Sequence, residues 1–400
     1  MKVIVIGGGA SGMMASLASS KNNQVTLIER NDELGKKLKI TGGGRCNITN
    51  NREIEDFFDK VVTNRKFLYS SFYSFTNRDL LNYFNKNNLE YKVEHDNDEK
   101  VYTKSDKSIE VIETLKKDLI KNKVNIIYNK KVIDLIVENN AVIGVITQDN
   151  DKIFADKVIV ATGGKSYPHT GSDGFMYEVL SKYHTITKIY PALTPLIIKE
   201  GFIKNLQGIS LKNVDISCKI NKKTISKFGD IIFTHFGVSG PCILKLSSYI
   251  NKTLEENEIT LKFDFLPNIG IEDLSKIIRE NPNKNIFNNL KSLLPSNFLK
   301  EILNHLNLSE VKSSDLSKKD EARIIESLKN LNLTCIGSKG IKTSQVTCGG
   351  VSVKEINSST LESKIIKNLY FCGEVIDVDA ETGGYNLQIA FSTGYLAGSI

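Results

Sequence analysis

The chain opens Met1-Lys2-Val3-Ile4-Val5-Ile6-Gly7-Gly8-Gly9-Ala10-Ser11-Gly12, and no other stretch restricts the fold so strongly. Lys2–Ile6 is a short β-branched run of the kind buried on both faces in a parallel sheet. It runs into G-x-G-x-x-G at Gly7, Gly9 and Gly12, and a helix-compatible stretch follows from Met13 to Ser20. In such a turn the first glycine lets the chain reverse, and the second has no Cβ to block a pyrophosphate. The third lets helix and strand pack closely. Ala10 and Ser11 lie where the helix start aims unpaired N–H groups and a positive dipole end at phosphates. A second strand, Gln24–Ile28, ends in Glu29, placed to accept hydrogen bonds from a ribose 2′-OH, with Arg30 beside it. A glycine-rich turn without a ligand is the competing reading. Strand, glycines, helix, strand and terminal acid within about thirty residues argue against it. The carboxylate at Glu29 also repels a 2′-phosphate, which disfavours NADP here and leaves NAD or the ADP half of FAD.

Composition adds bounds. Four hundred residues suffice for two or three domains, and 40% apolar with 25% charged content is that of an ordinary soluble globular protein. No stretch approaches the roughly eighteen apolar residues of a membrane span, and the first residues go directly into a core strand, so a cytoplasmic protein is expected. The 53 basic against 46 acidic side chains give +7, which favours a polyanionic partner such as RNA only as far as a solvated Lys-rich surface does not explain it. Neither DNA nor a membrane is expected as partner. The cysteines at 46, 218, 242, 335, 348 and 372 form no C-x-x-C pair, so neither a metal site nor a disulfide framework is expected. Most should be small buried hydrophobes, with Cys46 the exception by its position in a loop.

That loop is the second informative stretch. Lys37 follows Glu29 after a short connection and could reach the pyrophosphate from the other side. Thr41-Gly42-Gly43-Gly44-Arg45-Cys46-Asn47 cannot be a stable helix or central strand, and suits a loop lying against a flat ligand. A flexible turn is its bland alternative. Phe57 to Asn87 has the spacing of a helix pair packed on the core, and Ser105 or Ser108 should cap the helix beginning at Ile109. Asn125–Tyr128 reads as a strand. Val132–Val137 and Ala141–Thr147 read as a hairpin about Asn139-Asn140, with Val132 counted among the cofactor-binding candidates. Lys157–Thr162 is another buried strand, opening into Thr162-Gly163-Gly164, and Asp173 should cap the helix near Phe175.

From about Pro191 the texture changes. Thr194–Ile198, Ile209–Ile220, Thr224–Phe228, Ile231–Phe233 and Ile259–Phe265 alternate as an antiparallel, barrel-like insertion would (191–268). It contains Phe233-Thr234-His235-Phe236-Gly237-Val238-Ser239-Gly240-Pro241, read as a polar loop before an apolar helix. Several amphipathic helices follow (269–334), and after Leu333 the core texture returns. Leu369–Cys372 is a last buried strand ending in Gly373-Glu374, and Gly383-Gly384-Tyr385-Asn386-Leu387-Gln388 opens a C-terminal helix.

A ligand met by all these segments must be long and partly planar, as FAD is. Its ADP half would use the first motif, its ribityl chain Glu374, and its ring the loops at 41–47 and 383–388. NAD alone would not require the C-terminal elements. These motifs, with Thr234–Pro241 and Gly373-Glu374-Val375-Ile376-Asp377, resemble the BaiN/YhiN-type family of FAD-dependent oxidoreductases over nearly the whole chain. The resemblance implies an α/β fold: a split Rossmann-type FAD-binding domain (1–190 and 335–400) carrying an inserted β-barrel-like domain and a helical subdomain. It also implies flavin contacts at the motif positions. Members are described as reductases of unsaturated oxo bile acids, ribosomal-RNA dihydrouridine synthases or aminoacetone oxidases, so the substrate, small molecule or RNA, stays open. The first two activities share hydride transfer from reduced flavin to a C=C conjugated with a carbonyl, with an acid protonating the neighbouring carbon. Candidates for that acid, or for a substrate-orienting group, are Cys46, Tyr385 and His235. A buried packing thiol is the alternative for Cys46, and a turn-bonded ring for His235. No second G-x-G-x-x-G follows a strand, so NAD(P)H, if it is the transient donor, has no Rossmann domain of its own. An RNA-binding flavoprotein and a peroxide-releasing amine oxidase are the competing functions.

Overall fold

A computed structural model describes residues 1–400 and divides the chain into two compact units, Met1–Pro191 with Ile341–Ile400, and Ala192–Gly340. The first unit is built on a five-stranded, wholly parallel sheet. Its strands lie in the order Leu369–Phe371, Lys157–Val160, Lys2–Ile6, Gln24–Ile28, Asn125–Ile127. Val3–Ile6, Leu27, Ile28 and Val158–Val160 are almost wholly buried, which is why these strands read as continuous apolar runs. The helix Ala10–Ser19 returns from the first strand, and the C-terminal helix Tyr385–Gly398 packs on it through small residues. A Cβ at Gly394 would lie 2.4 Å from the Ser11 carbonyl oxygen, and one at Gly398 2.3 Å from that of Ala15. An antiparallel meander, Val132–Glu138, Ala141–Thr147 and Lys152–Phe154, turns at Asn139-Asn140, both left-handed as a tight hairpin requires.

The second unit is a closed six-stranded barrel. Leu196–Ile198 pairs with Gly237–Ser239, then follow Lys223–Thr234, Ser210–Ile220, Ile259–Asp264 and Leu331–Ser338, which closes back on the first. Val214, Ile216 and Cys218 alternate inward with polar neighbours, as do Leu261 and Phe263. The helices Ile271–Arg279, Ser296–Leu306 and Lys318–Lys329 share one apolar core with the barrel. Phe298 lies 4.8 Å from the ring of Phe265 and 5.9 Å from that of Phe233.

Several local expectations are corrected. Thr224–Phe228 and Ile231–Phe233 are one strand, because Gly229 at φ +147 carries the extended chain through. Phe233–Pro241 is a hairpin, the turn being His235-Phe236, followed at once by the helix Pro241–Leu254. Leu331–Ser338 belongs to the barrel, so the nucleotide-binding core does not resume at Leu333. Ser108 stands at the helix start but does not cap it, since its hydroxyl donates to the Lys39 carbonyl at 2.6 Å. No helix is long and apolar enough to cross a membrane.

Candidate functional site

In the first unit Ile6, Ile28, Val160 and Phe371 each hand the chain to a loop at the carboxyl edge of the parallel sheet, where open α/β sheets bind ligands. At the first of these ends, two glycines are demanded by the protein itself. Gly7 has φ +101, and a Cβ there would sit 2.6 Å from the Ala161 carbonyl oxygen; one at Gly12 would sit 1.8 Å from that of Gly7. Gly9 is different. Its φ of −77° and ψ of −172° suit any residue, and no protein atom lies within 4 Å of where its Cβ would be. The helix it introduces has no side-chain cap and no acid in its first turn, so the amides of Ala10, Ser11 and Gly12 have no acceptor within the helix. An uncapped helix start behind open space fits the pyrophosphate of a dinucleotide.

Glu29, only 6% exposed, stands at the second strand end. One carboxylate oxygen accepts the Gly8 amide at 2.6 Å, the other the Asn31 backbone and side-chain N–H groups at 2.8 and 2.7 Å. Burial raises its pKa, and these bonds partly offset the rise. The carboxyl is thereby held facing the glycine turn, as a ribose-binding acid must be. Arg30 turns instead to Asp173 at 2.6 Å and to the Gly171 carbonyl at 3.3 Å, joining two loops. Asp173 also accepts the Phe175 amide at 3.0 Å, but it stands one residue before the N-cap, which is Gly174 and not the expected Asp173.

The loop after Thr41 is almost entirely left-handed, with Gly42, Gly43, Gly44 and Cys46 at φ +59, +68, +90 and +56. Nothing in the protein approaches the Cβ positions of Gly43 and Gly44. Arg45 does not face that open side. Its Nε donates to Asp106 at 2.8 Å, another guanidinium nitrogen donates to Glu94, and the group lies 4.0 Å above the Tyr102 ring. Arg45 is therefore a clamp on the loop, its fork taken up by protein carboxylates. Asn47, in the amide orientation that satisfies both its ends, donates to the Thr49 carbonyl and accepts the Gly384 amide at 2.8 Å. Thr49 donates to Gln388 at 2.7 Å, and Asn50 to the Gly383 carbonyl at 3.1 Å. The second and last motifs, more than three hundred residues apart, are thus one structure. Asn386 closes its own loop on Ala380 (2.7 and 2.9 Å), and Leu387 is half-buried.

At the remaining strand ends, Glu374 is the hub. One of its oxygens accepts the Thr347 amide at 2.8 Å and the Ser166 hydroxyl at 2.9 Å; the other accepts Lys37 Nζ at 2.6 Å. Burial alone would raise its pKa, but Lys37, the Thr347 amide and Ser166 hold it below the ordinary value. Lys37 also donates to Ser166 at 2.7 Å, so Lys37, expected at the pyrophosphate, and Glu374, expected at the ribityl chain, meet each other. Thr162 and Ser172 carry buried hydroxyls without a partner beside Gly163. Gly373, at φ +75, donates its amide to Thr393, and a Cβ there would meet Ser11 Oγ at 2.4 Å. Val132 is a buried strand residue paired with Thr147.

Of the three catalytic candidates, Cys46 is corrected most sharply. Its left-handed backbone turns the side chain into the apolar core, where it is 0% exposed, and burial pushes its thiol up to about 12. It packs like the other five cysteines, all buried and none in a disulfide. Tyr385 is equally buried, edge-on to Phe57 at 5.0 Å, and burial holds its phenol protonated well beyond the ordinary range. His235 belongs to the second unit, exposed in its hairpin turn with its ring edge-on to Phe236. Sequence reasoning missed Thr347 and Ser166 as site residues, and also Thr49 and Asn50. The available signal was a small polar residue next to a glycine pair, as in Gly163-Gly164-Lys165-Ser166 and Thr347-Cys348-Gly349-Gly350.

The HI0933-like protein Rossmann-domain model matches residues 1–400. The chain is 31% identical to a 3-dehydro-bile acid Δ4,6-reductase of Clostridium scindens, over 99% of this chain and 98% of that one. It is 30% identical to a ribosomal RNA dihydrouridine synthase of Haemophilus influenzae, over 98% and 96% of the two chains. Among solved structures, a 3-ketosteroid Δ4-(5α)-dehydrogenase from Rhodococcus jostii RHA1 superposes with a TM-score of 0.53, covering 99% of this chain and 95% of its own. At 12% identity that likeness is one of fold.

Proposed function

This chain belongs to the HI0933-like Rossmann-domain family, a family of FAD-dependent oxidoreductases, and from that footing we propose that it binds FAD and saturates a C=C bond conjugated with a carbonyl, taking electrons from NAD(P)H. The structural observation that carries the cofactor reading is Gly9: a glycine that neither backbone angle nor crowding requires, at the uncapped start of a helix on the sheet's carboxyl edge. Glu29 would hold the adenosine ribose, the Ala10–Gly12 amides the pyrophosphate, and the joined loops at Gly42–Gly44 and Gly384–Leu387 the flavin ring. The bound flavin, once reduced, supplies hydride. The start of the C-terminal helix, which has neither acid nor side-chain cap, favours negative charge in front of it. Tyr385 keeps its proton and orders the loop it begins. Of the three acid candidates, Cys46 and Tyr385 are buried and keep their protons, and His235 is exposed in the second unit.

The bond class is supported by the two relatives, whose names describe reductions of an unsaturated bile acid and of a uridine. Both substrates carry the C=C next to a carbonyl that stabilises the charge left by hydride addition. The test is anaerobic. Protein reconstituted with FAD is reduced with NADH or NADPH, then offered a 3-oxo-4-ene steroid or a uridine-containing ribosomal RNA fragment. Reoxidation with equal loss of the C=C in either supports the proposal. Failure of both nicotinamides to bleach the flavin, or peroxide release from aminoacetone in air with no C=C reduction, overturns it.

A further inference from the structure

We propose that Thr347 is a positioning residue of the cofactor site, acting through the Gly163–Ser166 loop on the Lys37–Glu374 pair. The inference rests on the FAD reading above. Thr347 is 1% exposed and stands two residues before the Gly349-Gly350 pair. Its Oγ accepts the backbone N–H groups of Lys165 at 2.8 Å and Ser166 at 3.1 Å, while its own amide donates to Glu374 at 2.8 Å. It also explains a glycine: a Cβ at Gly164 would lie 2.3 Å from Thr347 Oγ. One residue thus fixes the loop after the third glycine cluster through its side chain and the acid after the fourth strand end through its backbone amide.

The consequence falls on Lys37 and Glu374. An ammonium has three donors, of which Lys37 uses one on Glu374 and one on Ser166. A carboxylate has about four acceptor sites, of which Glu374 uses three. The pair therefore keeps one donor and one acceptor for a ligand, and Ser166 and Thr347 set their direction. Without the Thr347 hydroxyl, two amides lose their acceptor, and the loop must shift to find others. Ser166 would then leave Glu374 and Lys37, and the remaining donor and acceptor would swing away from a ligand's polar groups.

The test compares wild type, T347V, T347S and S166A. Each apoprotein is titrated with FAD by flavin fluorescence, and its thermal unfolding is followed without FAD. Valine keeps the shape and loses the hydroxyl, so T347V is expected to bind FAD at least about 10-fold more weakly while its melting temperature stays within a few degrees of wild type. T347S should restore wild-type affinity, and S166A should weaken binding several-fold. Wild-type affinity in T347V or S166A overturns the proposal, as does a T347V loss matched by apoprotein destabilisation that serine does not rescue. Should T347V fail to fold, S166A decides the matter by its own affinity. Wild type that takes up no FAD at all brings down the cofactor reading, and this inference with it.

Discussion

The two units treat strand ends in opposite ways. The parallel sheet of the first is open, and four of its five strand ends run into glycines or an acid gathered along one edge. The barrel of the second closes on itself, and two glycines of its hairpin, Gly237 and Gly240, are wedged against neighbouring backbone. Gly237 and Gly240 are glycines because the protein leaves them no room, whereas Gly9 has room that the protein does not fill. The lesson is that a glycine indicates a ligand only where neither its backbone angle nor its neighbours account for it. By that criterion Gly9 is the informative member of the first motif, and Gly7 and Gly12 are scaffolding.

The contrast can be broken by substitution. Valine at Gly237 would place a Cβ 2.3 Å from the Leu196 carbonyl oxygen at φ +154, so G237V should destabilise the second unit by about 3 kcal/mol or more, seen in its melting transition. Valine at Gly9 should do the reverse. Melting of the apoprotein should barely change, while FAD affinity falls by roughly 100-fold, or about 2.7 kcal/mol, because the side chain stands where the phosphates must come. A G9V protein that unfolds but still binds FAD would erase the distinction.

Acid should find the hub next. Glu374 is held below its ordinary 4.5, so its contribution is complete above that value and is lost as pH falls through the lowered one. FAD retention followed from pH 7 downward should therefore hold to about pH 4.5 and fail below it; in E374Q that acid-dependent step should be absent. The R45K clamp variant keeps the charge but not the fork. With about a third of the side chain exposed, the expected loss is about 1 kcal/mol, read by chemical denaturation. Smallest is H235A, which should change stability by less than about 0.5 kcal/mol because the ring is exposed in a turn.

What was legible in the chain follows the same division. The first motif, Glu29 and the strand at 157–160 were readable because strand, glycine turn and helix are local rules acting within a few residues. Four of the six barrel strands were readable by alternation, whereas Gly237–Ser239 and Leu331–Ser338 were not. Leu331–Ser338 alternates like any half-buried strand, and closure is a property of the ring, absent from each segment. Cys46 was misjudged because its place in a glycine loop suggested access, whereas its own φ of +56 directs the thiol inward. Lys37, Ser166, Thr347 and Glu374 come from four distant stretches, and no spacing in the sequence announces their meeting.

The central claim is that the strand ends of the first unit together hold one extended dinucleotide. Titrating purified wild-type apoprotein with FAD and following its visible absorbance and fluorescence tests this directly. Saturation at one FAD per chain, lost in G9V while the protein stays folded, is the predicted result. A colourless wild-type protein that takes up no FAD, or a G9V protein that binds it as tightly, would contradict it.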